Sequence, residues 1–341
     1  MDPDEGGLMR WAWLLVAVVL AVSLISVAGM TVHDVAHDAI PTAPDGWTLR
    51  FSDDFDGPAG SLPSSGKWRF DIGQSYPGGP PHWGTQEVES YTADPANVSL
   101  DGHGHLLITP RRDAMGNWTS ARIESNQEDF KAPDGGILRI EARIQMPDVT
   151  AEAAQGYWPA FWALGAPYRH GVEWPQMGEF DIMESINGSN GVWGTVHCGI
   201  YPLGPCHEPR GIAAKMTCPG IGCQASFHIY TFEWDRSVTP ARLRWYVDGH
   251  ILNLVSQDQL PPDTWDDMTS HGGYFLLLNV AMGGGFADTL AGTHTPSQHT
   301  APGHPMMVDY VAVWTRAGGA LTPFPVWQSA MNSSAESVNG L

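Results

Sequence analysis

The stretch Gly178–Ser185, which reads GEFDIMES, determines how the whole chain is interpreted. Its carboxylates, Glu179, Asp181 and Glu184, are separated by apolar residues, and this alternation indicates a β-strand with one face toward a core. In a regular strand Glu179 and Asp181 share a face, whereas Glu184 points to the other. A β-bulge of one extra residue near Ile182–Met183 would return all three to the same side.

Such a bulge has a chemical consequence. It places Glu179 and Glu184 four strand steps apart, about 13 Å between Cα atoms at roughly 3.3 Å per residue. Side chains that lean inward on a concave sheet would close this gap to about 5–6 Å, near the separation used by retaining glycosidases, in which one carboxylate attacks the sugar and the other protonates the leaving oxygen. The competing interpretation is a sheet edge that carries charges against aggregation.

The composition restricts the partners. The 341 residues include 17 Lys and Arg against 37 Asp and Glu, a formal net charge of −20. This charge repels phosphate backbones, which excludes nucleic acid as a partner, and it disfavours sulfated or uronic polysaccharides. A neutral polysaccharide needs aromatic platforms and hydrogen-bonding groups instead, and the chain has 15 Trp residues.

The hydrophobic pattern predicts an all-β fold. Apolar and polar residues alternate cleanly in Leu138–Met146, His228–Asp235, Leu243–Val247 and Met306–Trp314. The continuously apolar Tyr274–Leu278 suits an inner strand that is covered on both sides. Strands at this spacing, separated by turns rich in Gly and Pro, predict one sandwich of two antiparallel sheets.

The N-terminal segment is separate from this domain. Residues 11–29 are uncharged and include the small-residue cleavage pattern Ser26-Val27-Ala28, although Asp2, Asp4 and Glu5 dilute the usual positive start. Residues 1–29 are therefore expected to be an export signal or an uncleaved membrane anchor, followed by a linker (30–45), the folded domain (46–316) and a flexible tail (317–341). Either alternative places the domain outside the cytosol, as a secreted or membrane-anchored extracellular protein that we expect to be a monomer.

The cysteines agree with export. Cys198, Cys206, Cys218 and Cys223 lie close together at spacings that do not match common zinc sites, and an exported protein favours their oxidation. Among the three possible pairings we prefer Cys198–Cys206 and Cys218–Cys223, since each closes a short local loop.

GEFDIMES resembles the active-site signature of glycoside hydrolase family 16 in its bulged Glu-x-Asp-x-x-Glu form. The resemblance covers residues 47–316 in the family's order, through the segments FSDDFDG (51–57), WGTQEVESY (83–91), WTSARI (118–123), GYWPAFWALG (156–165), GTVH (194–197), residues 227–249, LNVAMGG (278–284) and VDYVAVW (308–314). The chain is most similar to laminarinases, which are endo-acting β-1,3-glucanases. This resemblance implies a concanavalin-like β-jelly roll of two curved antiparallel sheets with a concave substrate cleft.

The resemblance also assigns the catalytic roles. It makes Glu179 the nucleophile and Glu184 the general acid and then the general base, with Asp181 between them to tune the nucleophile. These roles suit the physics, because a nucleophile must be ionised while an acid is protonated at the same pH, and neighbouring carboxyls in different environments achieve this. No cofactor is expected for catalysis.

Four further residues are expected to bind substrate. By resemblance Trp174 lines the sugar subsites, His197 hydrogen-bonds a sugar near the cleavage point, and Trp158 lies toward the cleft. Arg122 either binds a hydroxyl group or fixes the nucleophile strand, and core packing is the favoured role of Trp162.

Calcium is a common structural ion in the family, away from the cleft. The matching positions are Asp54, a backbone carbonyl near Gly102, and Asp309. Oxygen ligands suit Ca²⁺, although relatives often have Glu where this chain has the shorter Asp54.

The leading functional hypothesis is an exported retaining endo-β-1,3-glucanase. The same chemistry on mixed-linkage glucan or a β-galactan is the first alternative, and transglycosylation is a second outcome of the same intermediate. A non-catalytic β-glucan-binding protein is the third, and it is disfavoured because all three carboxylates are retained.

Overall fold

Two antiparallel sheets pack face to face, and the main hydrophobic core lies between them. The computed structural model describes residues 40–319. The predicted export signal or anchor (1–29) and most of the predicted tail (317–341) lie outside these residues. Neither helix within residues 40–319 is long and apolar enough to cross a membrane.

The strands are β1 Trp47–Asp53, β2 Trp68–Asp71, β3 Ser90–Tyr91, β4 Val98–Leu100, β5 Leu106–Ile108, β6 Arg111–Arg112, β7 Trp118–Ser120, β8 Arg122–Ser125, β9 Ile137–Gln145, β10 Tyr157–Gly165, β11 Glu179–Glu184, β12 Gly191–His197, β13 Ile212–Thr217, β14 His228–Asp235, β15 Arg242–Val247, β16 His250–Ser256, β17 Tyr274–Met282 and β18 Met306–Arg316. The α-helices are α1 Pro262–Thr269 and α2 Gly284–Ala291, and short 3₁₀ turns occupy Pro81–Gly84, Ala151–Ala154, Ala166–His170 and Gln257–Gln259.

The strands form two large sheets. The seven-stranded sheet has the order β13-β12-β11-β10-β17-β8-β2. The eight-stranded sheet has the order β16-β15-β14-β9-β18-β5-β4, with β1 also paired to β18. The small third sheet, β3-β7-β6, contains the parallel pair β3–β7. The predicted sandwich of antiparallel sheets is confirmed.

The strand predictions hold with small shifts at the ends. β14 has the predicted bounds, β9 begins and ends one residue early, and β17 and β18 extend past their predicted ends. β17 is buried along its whole length. Tyr274, Leu276 and Leu278 belong to the core between the sheets, while Phe275 and Leu277 belong to a smaller apolar cluster on the opposite face. This two-sided burial is why the strand is continuously apolar.

The disulfides have the predicted sequential pairing. Cys198–Cys206 closes the loop after β12, and Cys218–Cys223 lies between β13 and β14. Part of the predicted linker also packs on the domain, because Ile40 and Ala43 contact the cluster around Trp47. The folded unit therefore includes residues before the predicted boundary at 46.

Candidate active site

The three predicted acids lie on one face of β11. Against β10, Glu184 is opposite Ala160, Asp181 is opposite Trp162 and Glu179 is opposite Leu164. The partners on β10 are two residues apart each time, although Asp181 and Glu184 are three apart. Ile182 is the extra residue, and the register shifts there on both neighbouring strands. The bulge predicted from the sequence is present.

The other side chains of β11 hold this geometry in place. Phe180, Ile182 and Met183 are fully buried between the sheets, and Phe180 stacks on Phe232 and Tyr274 with ring centroids 4.5 and 4.4 Å apart. The bulge also accepts a hydrogen bond from the opposite sheet, because the indole N–H of Trp245 donates to the carbonyl oxygen of Asp181 at 2.8 Å. The acids therefore stand on a rigid strand.

A glycine is required where β11 begins. Gly178 has φ +81, and a Cβ there would lie 2.5 Å from the Tyr274 hydroxyl oxygen. Both the left-handed backbone and the close approach exclude a side chain at this position. The first residue of GEFDIMES thus sets the path by which the chain enters the strand.

Glu184 has the environment of a general acid. Its Oε1 accepts a hydrogen bond from the Trp158 indole N–H at 2.8 Å. Burial and the charge of Asp181 raise the pKa of Glu184 to about 8, while the hydrogen bond from Trp158 lowers it. The carboxyl is therefore protonated at neutral pH and available to a leaving oxygen.

Glu179 has a different set of partners. The Trp174 indole N–H donates to its Oε2 at 3.2 Å, a bond that favours the carboxylate form. Burial and the charge of Asp181 raise the pKa of Glu179 well above its ordinary value, and the charge of His197 lowers it. One ligand-type atom each from Glu179, Asp181 and His197 lies within 4.8 Å of the others, so protonation of one group controls that of its neighbours.

Among the predicted substrate-binding residues, three surround these acids. Trp158 and Trp174 contact Glu184 and Glu179, and the Nε2 atom of His197 lies 3.1 Å from Oδ2 of Asp181. His197 therefore faces an acid of the site directly. Its ring centroid is 5.4 Å from that of Trp174.

Arg122 lies on β8, which two strands (β10 and β17) separate from β11, and is only 5% exposed. Its Nε atom is 2.9 Å from Oδ2 of Asp71 and its Nη2 atom donates to the Tyr76 hydroxyl at 2.7 Å. The guanidinium also lies over the rings of Trp83 and Trp162, at 4.4 and 4.8 Å from their centroids. Neither Asp71 nor Tyr76 belongs to the nucleophile strand, and the Arg122 guanidinium packs against the ring of Trp162.

The core-packing role expected of Trp162 is met only in part. Its ring lies on the same face as Asp181, is half-buried, and donates from Nε1 to Oδ1 of Asn279 at 2.8 Å. It packs on the smaller cluster with Leu164 and Phe275, not in the core between the sheets.

The structure adds site residues that the sequence analysis missed. Glu208 bonds His197 from a loop, Tyr201 brings its ring centroid to 6.0 Å from that of Trp174, and Phe286 packs edge-on against Trp158 and Trp193. Glu208 and Tyr201 belong to the loop region around the Cys198–Cys206 disulfide. Proximity to these cysteines is the signal that could have indicated them.

Replacing Trp158 tests the environment of Glu184. Trp158→Phe keeps an aromatic ring but removes the N–H donor that lowers the pKa of Glu184. We expect the alkaline limb of the kcat/KM profile to move to higher pH by about one to two units, since a hydrogen bond to a charged group contributes roughly 1.5–3 kcal/mol. The measurement is kcat/KM on a soluble glucan from pH 5 to 10. Trp193→Phe is the matched control, and an unchanged limb in Trp158→Phe would contradict the assignment.

A β-sandwich that presents two glutamates on one strand face, each accepting an indole N–H and with an aspartate between them, is the arrangement of a retaining glycoside hydrolase. The comparisons identify the family. The family model described as "XgeA-like, catalytic GH16 domain" matches residues 110–203. A β-glucanase from Rhodothermus marinus is 30% identical over 276 residues, which is 79% of this chain and 85% of the relative.

Solved structures agree. The endo-1,3-β-glucanase from Streptomyces sioyaensis is 55% identical with a TM-score of 0.80, covering 82% of this chain and 100% of the other. The endo-β-1,3-glucanase from Pyrococcus furiosus is 30% identical with a TM-score of 0.64, covering 80% of this chain and 96% of the other. The chain belongs to glycoside hydrolase family 16, in its laminarinase-like branch, and its fold is the predicted β-jelly roll.

Proposed function

We propose that this protein hydrolyses internal β-1,3-glucosidic bonds of laminarin-type glucans with retention of anomeric configuration. The observation that carries the proposal is the bulge at Ile182, which turns Glu179 and Glu184 to one face, where they accept indole N–H groups from Trp174 and Trp158. The substrate is inferred from the endo-1,3-β-glucanases that the chain resembles.

The first chemical step uses both glutamates. A carboxylate oxygen of Glu179 attacks the anomeric carbon, the bond from that carbon to the bridging oxygen breaks, and the proton of Glu184 passes to the leaving oxygen. Trp174 orients Glu179 through its N–H, and Asp181 lies between the two glutamates with His197 against it.

The second step reverses the roles. Glu184, now ionised, takes a proton from water, the water oxygen attacks the anomeric carbon, and the bond to Glu179 breaks. Two displacements at one carbon restore its configuration. A sugar hydroxyl in place of water gives transglycosylation by the same step.

The aromatic side chains supply sugar platforms. Trp174 lies beside the nucleophile and Trp158 beside the acid, so the two rings bracket the cleavage point. The exposed ring of Tyr201 continues the aromatic surface beyond Trp174. A neutral glucan suits this surface, because pyranose faces pack on rings while their hydroxyl groups remain free to hydrogen-bond.

The test is incubation of the purified protein with laminarin, lichenan, agarose and xyloglucan, with products followed by size and by the anomer formed first. Short oligosaccharides from laminarin, released first as the β-anomer, support the proposal. Cleavage of lichenan or agarose alone would move the substrate to mixed-linkage glucan or β-galactan. Binding to laminarin without cleavage would favour a glucan-binding protein.

We also propose export and a monomeric state. Both disulfides support export, because such bonds persist in oxidising compartments, and the catalytic groups described above come from one chain. Cell fractionation with N-terminal sequencing of the mature protein separates secretion from anchoring. Light scattering during size-exclusion chromatography measures the mass, and a dimer would contradict the second part.

A structural calcium completes the proposal. β1 and β5 pair with neighbouring parts of β18, and Asp309 lies in the gap between them. Asp54 directly follows β1 and Gly102 lies in the β4–β5 turn, so the register supports a shared site with the oxygen donors that calcium prefers. The buried Asp309 also forms an ion pair with Arg143. Calcium and the guanidinium of Arg143 would therefore share the negative charge of the Asp309 carboxylate.

Thermal unfolding tests this calcium site. We expect EDTA to lower the unfolding temperature by on the order of 5 °C relative to millimolar calcium, because a ligand at 100 times its Kd adds about 2.7 kcal/mol to stability. Asp54→Asn is expected to lose this response. Equal unfolding temperatures with EDTA and with calcium would remove the ion from the proposal and leave the active site untouched.

A further inference from the structure

A buried carboxylate lies behind the active-site histidine. Glu208 is 1% exposed, and its Oε2 atom is 2.6 Å from Nδ1 of His197. Its Oε1 atom accepts a hydrogen bond from the backbone N–H of Cys198 at 3.0 Å. The acid thus uses one oxygen to fix itself to the end of β12 and the other to hold the imidazole.

The two nitrogens of His197 face two different carboxylates. Nδ1 faces Glu208, while Nε2 lies 3.1 Å from Oδ2 of Asp181. A neutral imidazole has a single N–H and can present it to only one of them, whereas an imidazolium presents an N–H to each. Only the imidazolium satisfies both contacts without placing a proton on a carboxylate.

The charged groups around His197 favour that form. β11 presents Asp181 and Glu179 to the ring, with Glu184 farther along the strand, and the disulfide loop presents Glu208. Trp174 and Tyr201 add uncharged rings on that side. Burial lowers the pKa of His197, but the hydrogen bonds and charges of Asp181 and Glu208 outweigh it, and the pKa lies well above its ordinary value.

The loop that follows β12 and contains the Cys198–Cys206 disulfide holds Glu208 in this position. The Cys198–Cys206 disulfide closes it two residues before the acid, and the N–H of Leu203 donates to the Glu208 carbonyl at 2.8 Å. Gly211 then passes against the imidazole with φ +63, where a Cβ would lie 3.0 Å from Cε1 of His197. A glycine at this point allows the chain to close over the ring.

We propose that Glu208 is a positioning residue of the catalytic site, which keeps the shared proton on His197 and so keeps Asp181 and the nucleophile Glu179 ionised. Glu208 does not touch the substrate; it acts through His197. Without its charge, the proton on Nε2 would pass to Oδ2 of Asp181 or to the carboxylate of Glu179. The consequence for catalysis rests on the proposed glycosidase function, whereas the position of the proton does not.

The decisive variant is Glu208→Gln, which keeps the shape and removes the charge. We expect kcat on laminarin to fall about tenfold or more with KM changed less than about twofold, since a tenfold loss corresponds to one pKa unit in the preference of the proton for His197 over Glu179. The matched control is Glu141→Gln. Glu141 is equally buried and accepts bonds from Arg139, Thr231 and Tyr310, but it lies on the eight-stranded sheet.

A spectroscopic measurement keeps the proposal testable without activity. In ¹⁵N-labelled wild-type protein at pH 7.5, the His197 ring, assigned with His197→Ala, should show both nitrogens protonated. Glu208→Gln should show one, and Glu141→Gln should match the wild type. A neutral His197 in the wild type, or a Glu208→Gln variant with unchanged kcat, would overturn the proposal. An inactive wild type that shows the imidazolium would instead refute the proposed function and leave the proton assignment standing.

Discussion

Glu179→Ala is expected to abolish the hydrolysis of laminarin, with kcat lower by roughly 10⁶-fold, the size of the loss when a covalent nucleophile is removed. The physical reason is that no other carboxylate occupies the position opposite Leu164 on β10. Asp181 stands two residues away and is one methylene shorter, and it already faces His197. Water therefore has to attack directly, without the covalent intermediate.

Asp181→Asn is the control variant against which the loss of activity in Glu179→Ala is compared. It keeps the size of the side chain and removes a charge that raises the pKa of both glutamates, so we expect a smaller loss than in Glu179→Ala. Adding azide to Glu179→Ala should restore turnover of a substrate with a good leaving group and give the α-configured glycosyl azide, because a single displacement inverts the anomeric carbon. Full activity of Glu179→Ala without azide would remove Glu179 as the nucleophile.

The local sequence pattern was sufficient to predict those features of the fold and site that depend on burial along a single strand. The spacing of Glu179, Asp181 and Glu184 conflicts with a period of two by one residue, and only a bulge resolves the conflict while keeping Phe180 and Met183 buried. The apolar run of β17 likewise required cover on both faces. Both features follow from the burial of residues along one strand, so the order of the residues is enough to predict them.

The rest depends on contacts between distant segments. Glu208 reaches His197 because a disulfide loop folds back, and periodicity gives no information about the path of a loop. The sequence left Arg122 with two roles, and only the structure shows that its partners Asp71 and Tyr76 do not belong to the nucleophile strand. Helix α2 begins within a run of glycines and has no long helical period, so the sequence pattern did not predict it.

Glu184→Gln is expected to have an effect that depends on the leaving group. On laminarin the sugar oxygen needs a proton, so kcat/KM should fall by roughly 10³-fold to 10⁴-fold, near the upper limit for general acid catalysis. On an aryl β-laminaribioside with a strongly acidic phenol, departure needs no proton, and kcat/KM should remain close to that of the wild type. Azide should then accelerate turnover and give the β-configured glycosyl azide, because it attacks the intermediate on Glu179 without needing a base.

The pH profile of the same variant separates Glu184 from His197. In the wild type the acid must be protonated, so kcat/KM on laminarin should decline as the pH rises through about 8, the pKa to which burial and Asp181 raise Glu184. Glutamine does not titrate, and the residual activity of Glu184→Gln on laminarin should therefore lose this alkaline limb. His197 also carries a raised pKa, for a different reason: its imidazolium is held between Asp181 and Glu208. A limb that persists in Glu184→Gln but shifts in Glu208→Gln would assign the alkaline loss to His197, because Glu208 contacts the imidazole and not Glu184.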